Sequence, residues 1–123
     1  MTTPPEQASK SSGNWSRLLT DKVVFVTGAG GAIGAAIAQA CFLHGARVVV
    51  ADINKNAADG VVAKIIDGDE TKKDYIVAIE LDVADEQQIQ NAVQTVVDKW
   101  STIDVLVNKY AQCFTKLNTI LFV

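Results

Sequence analysis

Cysteine is scarce in this chain. Cys41 and Cys113 are the two in 123 residues, and neither lies in a Cys-x-x-Cys or Cys/His spacing. That argues against a disulfide framework and against a zinc site, and it makes a reduced, intracellular compartment the default expectation. Charge of one sign is also missing: a net charge of −3 gives no electrostatic reason to expect nucleic acid or an anionic membrane as partner. No stretch approaches the roughly 18 consecutive apolar residues of a membrane-spanning helix. Residues 1–20 have no apolar core of the kind a secretory signal carries, so a disordered leader is expected there. The sequon Asn14-Trp15-Ser16 is then idle. A cytoplasmic location is expected; Lys10, Arg17 and the serines leave a mitochondrial address open, against Glu6, Pro4 and Pro5.

What is present suffices for one domain of modest size, with 49% hydrophobic and 20% charged residues. From Lys22 onward, short β-branched runs alternate with longer helical periods. Val23 to Thr27 is an unbroken apolar run, as in a strand buried on both faces. Ile33, Ala36, Ile37, Ala40 and Cys41 then recur at helical spacing, with Gly45 as the stop. Arg47 to Ala51 reads as a second strand. Ala58, Val61, Val62, Ile65 and Ile66 carry a second helix that Gly68 stops, and Tyr75 to Leu81 reads as a third strand. Ile89, Ala92, Val93, Val96, Val97 and Trp100 form one stripe of a third helix, preceded by Asp85 and Gln88 at capping-box spacing. Ile103 to Val107 is a fourth strand. This β-α-β-α-β-α-β order implies an α/β fold with right-handed crossovers: a Rossmann-type doubly wound parallel sheet of about four strands, order 3-2-1-4. The ligand crevice is expected at the carboxyl ends of strands one and four.

The segment Thr27-Gly28-Ala29-Gly30-Gly31-Ala32-Ile33-Gly34 joins the first strand to the first helix. A turn there turns backbone N–H groups and the positive end of the helix dipole towards a pyrophosphate. A Cβ would obstruct the turn at Gly28 and the helix–strand contact at Gly34. Glycines alone are weak evidence; glycines after a buried strand and before a helix are strong. Roughly 20 residues on, Asp52 ends the second strand, where a carboxylate can accept hydrogen bonds from both ribose hydroxyls and repel a 2′-phosphate. NAD is therefore expected ahead of NADP, with Lys55 leaving some room for the latter. The ordinary role for such an Asp is a turn with Asn54. Asp82 and Val83, after the third strand, are placed to answer the adenine amino group and a ring nitrogen; the alternative is that Asp82 merely opens the third helix.

Residues 21–108 resemble the N-terminal half of the short-chain dehydrogenase/reductase family. The resemblance rests on the Thr-Gly-x-x-x-x-x-Gly loop, Asp52, Asp82-Val83 and Ile103-Asp104-Val105-Leu106-Val107-Asn108. It implies an NAD(P)-dependent oxidoreductase moving hydride between nicotinamide and an alcohol or ketone, with Gly28, Gly30, Gly31, Ile33, Gly34, Asp52, Asp82, Val83 and Asn108 on the cofactor. Ala32 replaces the family's middle loop glycine. The family's Asn-Asn-Ala-Gly becomes Asn108-Lys109-Tyr110-Ala111-Gln112, and no family pattern is traced over residues 109–123, which read as a divergent apolar tail without a partner strand. The family's catalytic Ser and Tyr-x-x-x-Lys have no counterpart: Tyr75 is followed four residues on by Ile79, and Tyr110 by Phe114. No catalytic residue and no metal ligand is assigned. A truncated or alternatively terminated family member is expected, binding cofactor without turnover.

The remaining reactive residues read as structural. His44 suits a helix C-terminus, Cys41 a buried thiol and Trp100 core. Two other functions compete with the enzymatic one. One is a non-catalytic interaction module, in which an exposed fourth-strand edge self-associates or pairs with a full-length relative. The other is a Rossmann-type methyltransferase, disfavoured because strand one carries no acid.

Overall fold

The computed structural model describes residues 17–108 together with the backbone of 121–122. Readings that concern residues 1–16, Tyr110 and Cys113 fall outside the described residues. In chain order the elements are β1 (Val23–Thr27), α1 (Ala32–Leu43), β2 (Arg47–Asp52), α2 (Lys55–Ile66), a 3-10 helix (Glu70–Tyr75), β3 (Ile76–Glu80), α3 (Glu86–Trp100), β4 (Val105–Val107) and β5 (Leu121–Phe122). All pairings are parallel and the strand order is β3-β2-β1-β4-β5. The expected 3-2-1-4 arrangement is thus present. One expectation is corrected: the tail does supply a partner strand, a two-residue one opposite Val105 and Leu106, so the outer side of β4 is paired.

The sheet is buried on both faces, and strand alternation decides which residue serves which face. Val24, Val26, Val48 and Val50 point to the side of Ala38, Ala58, Val61 and Ile65, beneath α1 and α2. Val23, Phe25, Val49 and Ala51 point to the other side, against Leu81, Ile89, Ala92 and Val96 of the α3 layer. Continuous apolar strands follow from this two-sided burial. The α2 and α3 stripes pack as their periodicity predicts, except that Val97 is exposed. In α1 the stripe packs only in part: Ile37 and Cys41 rest against the core, Ile33, Ala36 and Ala40 face solvent, and Ala38 is the helix's buried residue. No residue of α1 is charged, so the sequence carries no polar face to mark its outer side.

The helix ends have local causes. Gly45 follows α1 with φ of 93°, and Asp67 and Gly68 both turn left-handed after α2. Asp85 caps α3, its Oδ1 accepting from the N–H groups of Gln87 (3.0 Å) and Gln88 (3.2 Å). The reciprocal half of the expected capping box is absent, since Gln88 Oε1 instead accepts from Asp82 N–H at 2.9 Å. Third-strand geometry begins one residue later than read, because Tyr75 closes the 3-10 helix.

Candidate functional site: a glycine loop at the sheet's switch point

β1 and β4 are neighbours, while the chain runs from β1 away to β2 and β3 before returning. Their carboxyl ends therefore open a crevice that no crossover covers. A cavity of about 450 Å³ lies there, lined by Thr27, Gly28, Gly31, Ile33, Gly34 and Asn108 among others. The loop over it turns at Gly28, whose φ of 64° is the left-handed region that side chains resist. Gly34 is required for a different reason: a Cβ there would stand 2.5 Å from the Gly28 carbonyl oxygen and 2.8 Å from Ala29 Cα. Contact that close with backbone would force the loop or the helix to shift.

The loop is tied to β2 by consecutive bonds. Ala29 N–H donates to the Ala51 carbonyl at 3.0 Å, and Gly30 N–H donates to Asp52 Oδ2 at 2.9 Å. Asp52 Oδ1 accepts from Asn54 N–H at 2.9 Å, so the ordinary turn role anticipated for this Asp is also present. The Asp52 carbonyl accepts from Leu81 N–H, which brings the end of β3 alongside.

Gly31 is the N-cap of α1, with extended geometry (φ −84°, ψ 167°), no side-chain cap and no acid in the first turn. The first helical N–H groups, at Ala32, Ile33 and Gly34, precede the helix's own carbonyl ladder. A Cβ at Gly31 would meet little, its nearest neighbour being the Gly28 oxygen at 3.6 Å. The space before these amides is open. Amides, dipole and open space together suit a group with anionic oxygens.

Thr27 and Asn108 close the far wall. The Thr27 hydroxyl donates to Asn108 Oδ1 at 3.0 Å, and both residues are buried. Thr27 counts as a site residue that sequence reasoning treated only as part of the loop motif. Of the residues expected on the cofactor, Gly28, Gly31, Ile33, Gly34 and Asn108 thus share one cavity. Gly30 and Asp52 join it through their hydrogen bond. Asp82 and Val83 stand one strand further along the same edge, where Asp82 Oδ1 accepts from Ala84 N–H at 2.9 Å in a turn that opens α3. Lys55 Nζ is engaged by Asp59 Oδ1 at 2.8 Å.

Elsewhere, Cys41 is half-buried against the α1–α2 core, and burial pushes its thiol pKa up. Trp100 packs on the α3 core and its Nε1–H donates to the Asp74 carbonyl at 3.3 Å. His44 caps the C-terminus of α1, away from the cavity. Among the described residues no cluster of three or more His, Cys, Asp or Glu could hold a metal ion, and no helix is long and apolar enough to cross a membrane.

Comparison with known proteins agrees with this geometry. The short chain dehydrogenase family model matches residues 22–118, running past Asn108 into the tail. Sorbitol dehydrogenase of Cereibacter sphaeroides is 40% identical over 76% of this chain and 34% of its own. Mouse 15-hydroxyprostaglandin dehydrogenase [NAD(+)] is 39% identical over 71% of this chain and 32% of its own. The crystal structure of hydroxysteroid dehydrogenase from Escherichia coli superposes with a TM-score of 0.67 at 35% identity, over 78% of this chain and 38% of that one. A doubly wound α/β sheet with a glycine loop at its switch point defines the Rossmann class of fold. Within that class, the chain belongs to the short-chain dehydrogenase/reductase family, a family of oxidoreductases. It spans about a third of the length of the curated relatives it matches.

Proposed function

We propose that these residues bind the ADP portion of a nicotinamide dinucleotide, NAD in preference to NADP, as the cofactor half of an alcohol or ketone oxidoreductase. The observation that carries this reading is the uncapped start of α1 facing open space in the crevice, 2.9 Å hydrogen bonding having already fixed Asp52 beside it. The pyrophosphate would take the N–H groups of Ala32, Ile33 and Gly34; the adenosine ribose would lie against Asp52. Asp82 and Val83 would meet the adenine and Asn108 the far side of the crevice. Lys55, the cation nearest in sequence that could welcome a 2′-phosphate, has its charge engaged by Asp59. A relative whose name specifies NAD(+) supports the same choice.

When bound, nicotinamide supplies the hydride acceptor or donor. The residues here bind and orient it; no Tyr-x-x-x-Lys occurs in the 123 residues to exchange the proton. They are therefore expected to bind cofactor without turnover unless such a pair is supplied from elsewhere.

Titration of the purified chain with NAD, NADP and S-adenosylmethionine, with hydride transfer followed by nicotinamide absorbance, tests the reading. NAD is expected to bind ahead of NADP and the methyl donor not at all. Binding of NADP alone would overturn the role given to Asp52. Preference for S-adenosylmethionine would overturn the class of cofactor, and turnover of any alcohol would overturn the expectation of inactivity.

A further inference from the structure

We propose that Asp52 is a positioning residue for the glycine loop as well as a reader of the sugar, so that cofactor choice and pyrophosphate grip depend on one carboxylate. This deepens the dinucleotide reading above and rests on it. Three observations support it. Gly30 N–H, in the middle of the loop, ends on Asp52 Oδ2 at 2.9 Å, and the preceding amide, Ala29 N–H, is bound to the Ala51 carbonyl. The loop is thus held against β2 at two successive residues, one of which relies on a side chain. Gly30 is shaped around that side chain: a Cβ on it would stand 2.8 Å from Asp52 Oδ2 and 2.8 Å from Ala57 Cβ. Finally, Asn54 N–H binds Oδ1 at 2.9 Å, which fixes the orientation of the carboxylate plane.

Acceptor arithmetic makes the two roles compatible. An ionised carboxylate offers about four lone-pair sites. Gly30 and Asn54 use one on each oxygen, leaving one on each oxygen for two vicinal hydroxyls. A sugar carrying a 2′-phosphate has lost one of those donors and brings like charge to an oxygen already committed to the loop. Removing the acid to admit the phosphate would release Gly30 at the same time. Asp52→Ala alone is therefore expected to weaken NAD without a matching gain for NADP.

The decisive probe is 2′,3′-dideoxy-ADP, which carries the diphosphate but no ribose hydroxyl for Asp52 to read. Its affinity for the full chain is compared with that of ADP in wild type, Asp52→Asn and Asp52→Ala. Loss of a charged acceptor is expected to weaken dideoxy-ADP by about tenfold in Asp52→Ala, and ADP by more. Asp52→Asn, with one oxygen for two N–H groups, is expected to fall between. In the ligand-free chain, the Gly30 amide proton resonance should shift in both variants. Those spectra also report whether each variant is folded. Equal dideoxy-ADP affinity in wild type and Asp52→Ala, or a Gly30 amide indifferent to residue 52, would overturn the proposal. Wild-type chain that binds neither nucleotide would overturn the site itself, and the Gly30 resonance separates that result from a failure of anchoring.

Discussion

Helices α1 and α3 both begin at the carboxyl edge of the sheet, each just after a strand, yet their first turns are built on opposite plans. α3 opens with Asp85, whose carboxylate takes two backbone N–H groups and a bond from Gln88 Nε2 at 3.2 Å, with Glu86 adding negative charge in the first turn. α2 opens in the same spirit, with Asn54 Oδ1 accepting from Ala57 N–H at 3.1 Å. α1 opens on Gly31, without side-chain acceptor or acid, over a cavity. A helix N-terminus holds orphan amides and roughly half a positive charge. Where the fold alone must satisfy them, the sequence supplies Asp or Asn. At α1 it withholds both, and the neighbouring carboxylate of Asp52 is turned onto Gly30 instead of onto the helix.

The largest effect is expected from closing the loop's tightest contact. Gly34→Ala places a methyl 2.5 Å from a backbone oxygen, so loop or helix must move. A loss of about 3 kcal/mol is expected, the upper range for overpacking, read as a lower midpoint in urea, with ADP binding lost as well. Asp85→Ala comes next. Removing an N-cap costs about 1 kcal/mol, and here affinity for inorganic pyrophosphate, which lacks the adenine, should not change, because the amides of that helix end answer to the fold and not to a ligand. Coupled loss of pyrophosphate binding in Asp85→Ala would abolish the distinction between the two helix ends.

Gly31→Asp inverts the comparison by giving α1 the cap it lacks. Its extended backbone admits any residue and its Cβ would meet only ordinary contact. Replacing a glycine N-cap by Asp is expected to stabilise the chain by a few tenths of a kcal/mol. The same carboxylate would occupy the amides and repel a diphosphate, so ADP binding should disappear. A variant that is slightly more stable and no longer binds, measured by thermal melt and titration together, is the clearest signature that these amides are kept for a ligand. Retained ADP affinity would remove that assignment.

How much of this is legible in the sequence depends on how local its cause is. The runs of β1 and β2 declare themselves because two-sided burial leaves no polar alternation to confuse them. The loop's role is legible from its place between strand and helix. The Asp85 cap can be read from spacing, but not that Gln88 turns back to Asp82 instead of completing the box. Glu70–Tyr75 hides because its Glu-Thr-Lys-Lys-Asp-Tyr run has no apolar period; it is organised by the Asp69 side chain. Leu121–Phe122 hides because two apolar residues become a strand only through β4, long-range in sequence. Spacing places Asp52 near the loop, whereas its bond to a particular amide is a property of the folded turn. The outward face of α1, lacking charge, gives periodicity nothing to distinguish inside from outside.

The smallest effect expected is an acid response confined to a capped end. Asp69 caps the 3-10 helix by accepting from the Thr71 hydroxyl and from Thr71 N–H at 3.0 Å, and these bonds, aided by the nearby charge of Lys72, hold its carboxyl below the usual range. A depressed carboxylate contributes stability that is fully present above its unfolded value, about 3.9, and is lost as pH falls through the lower, folded value. Asp69 is exposed to solvent, so the contribution is small and screened. On acidification the Thr71 amide resonance should move late, below the ordinary carboxylate range, while that of Ile33, at the uncapped start of α1, should show no such inflection. Asp69→Asn should erase the Thr71 transition. A matching inflection at Ile33 would mean that a carboxylate does reach the α1 amides, and the contrast between its helix end and the others would fail at its root.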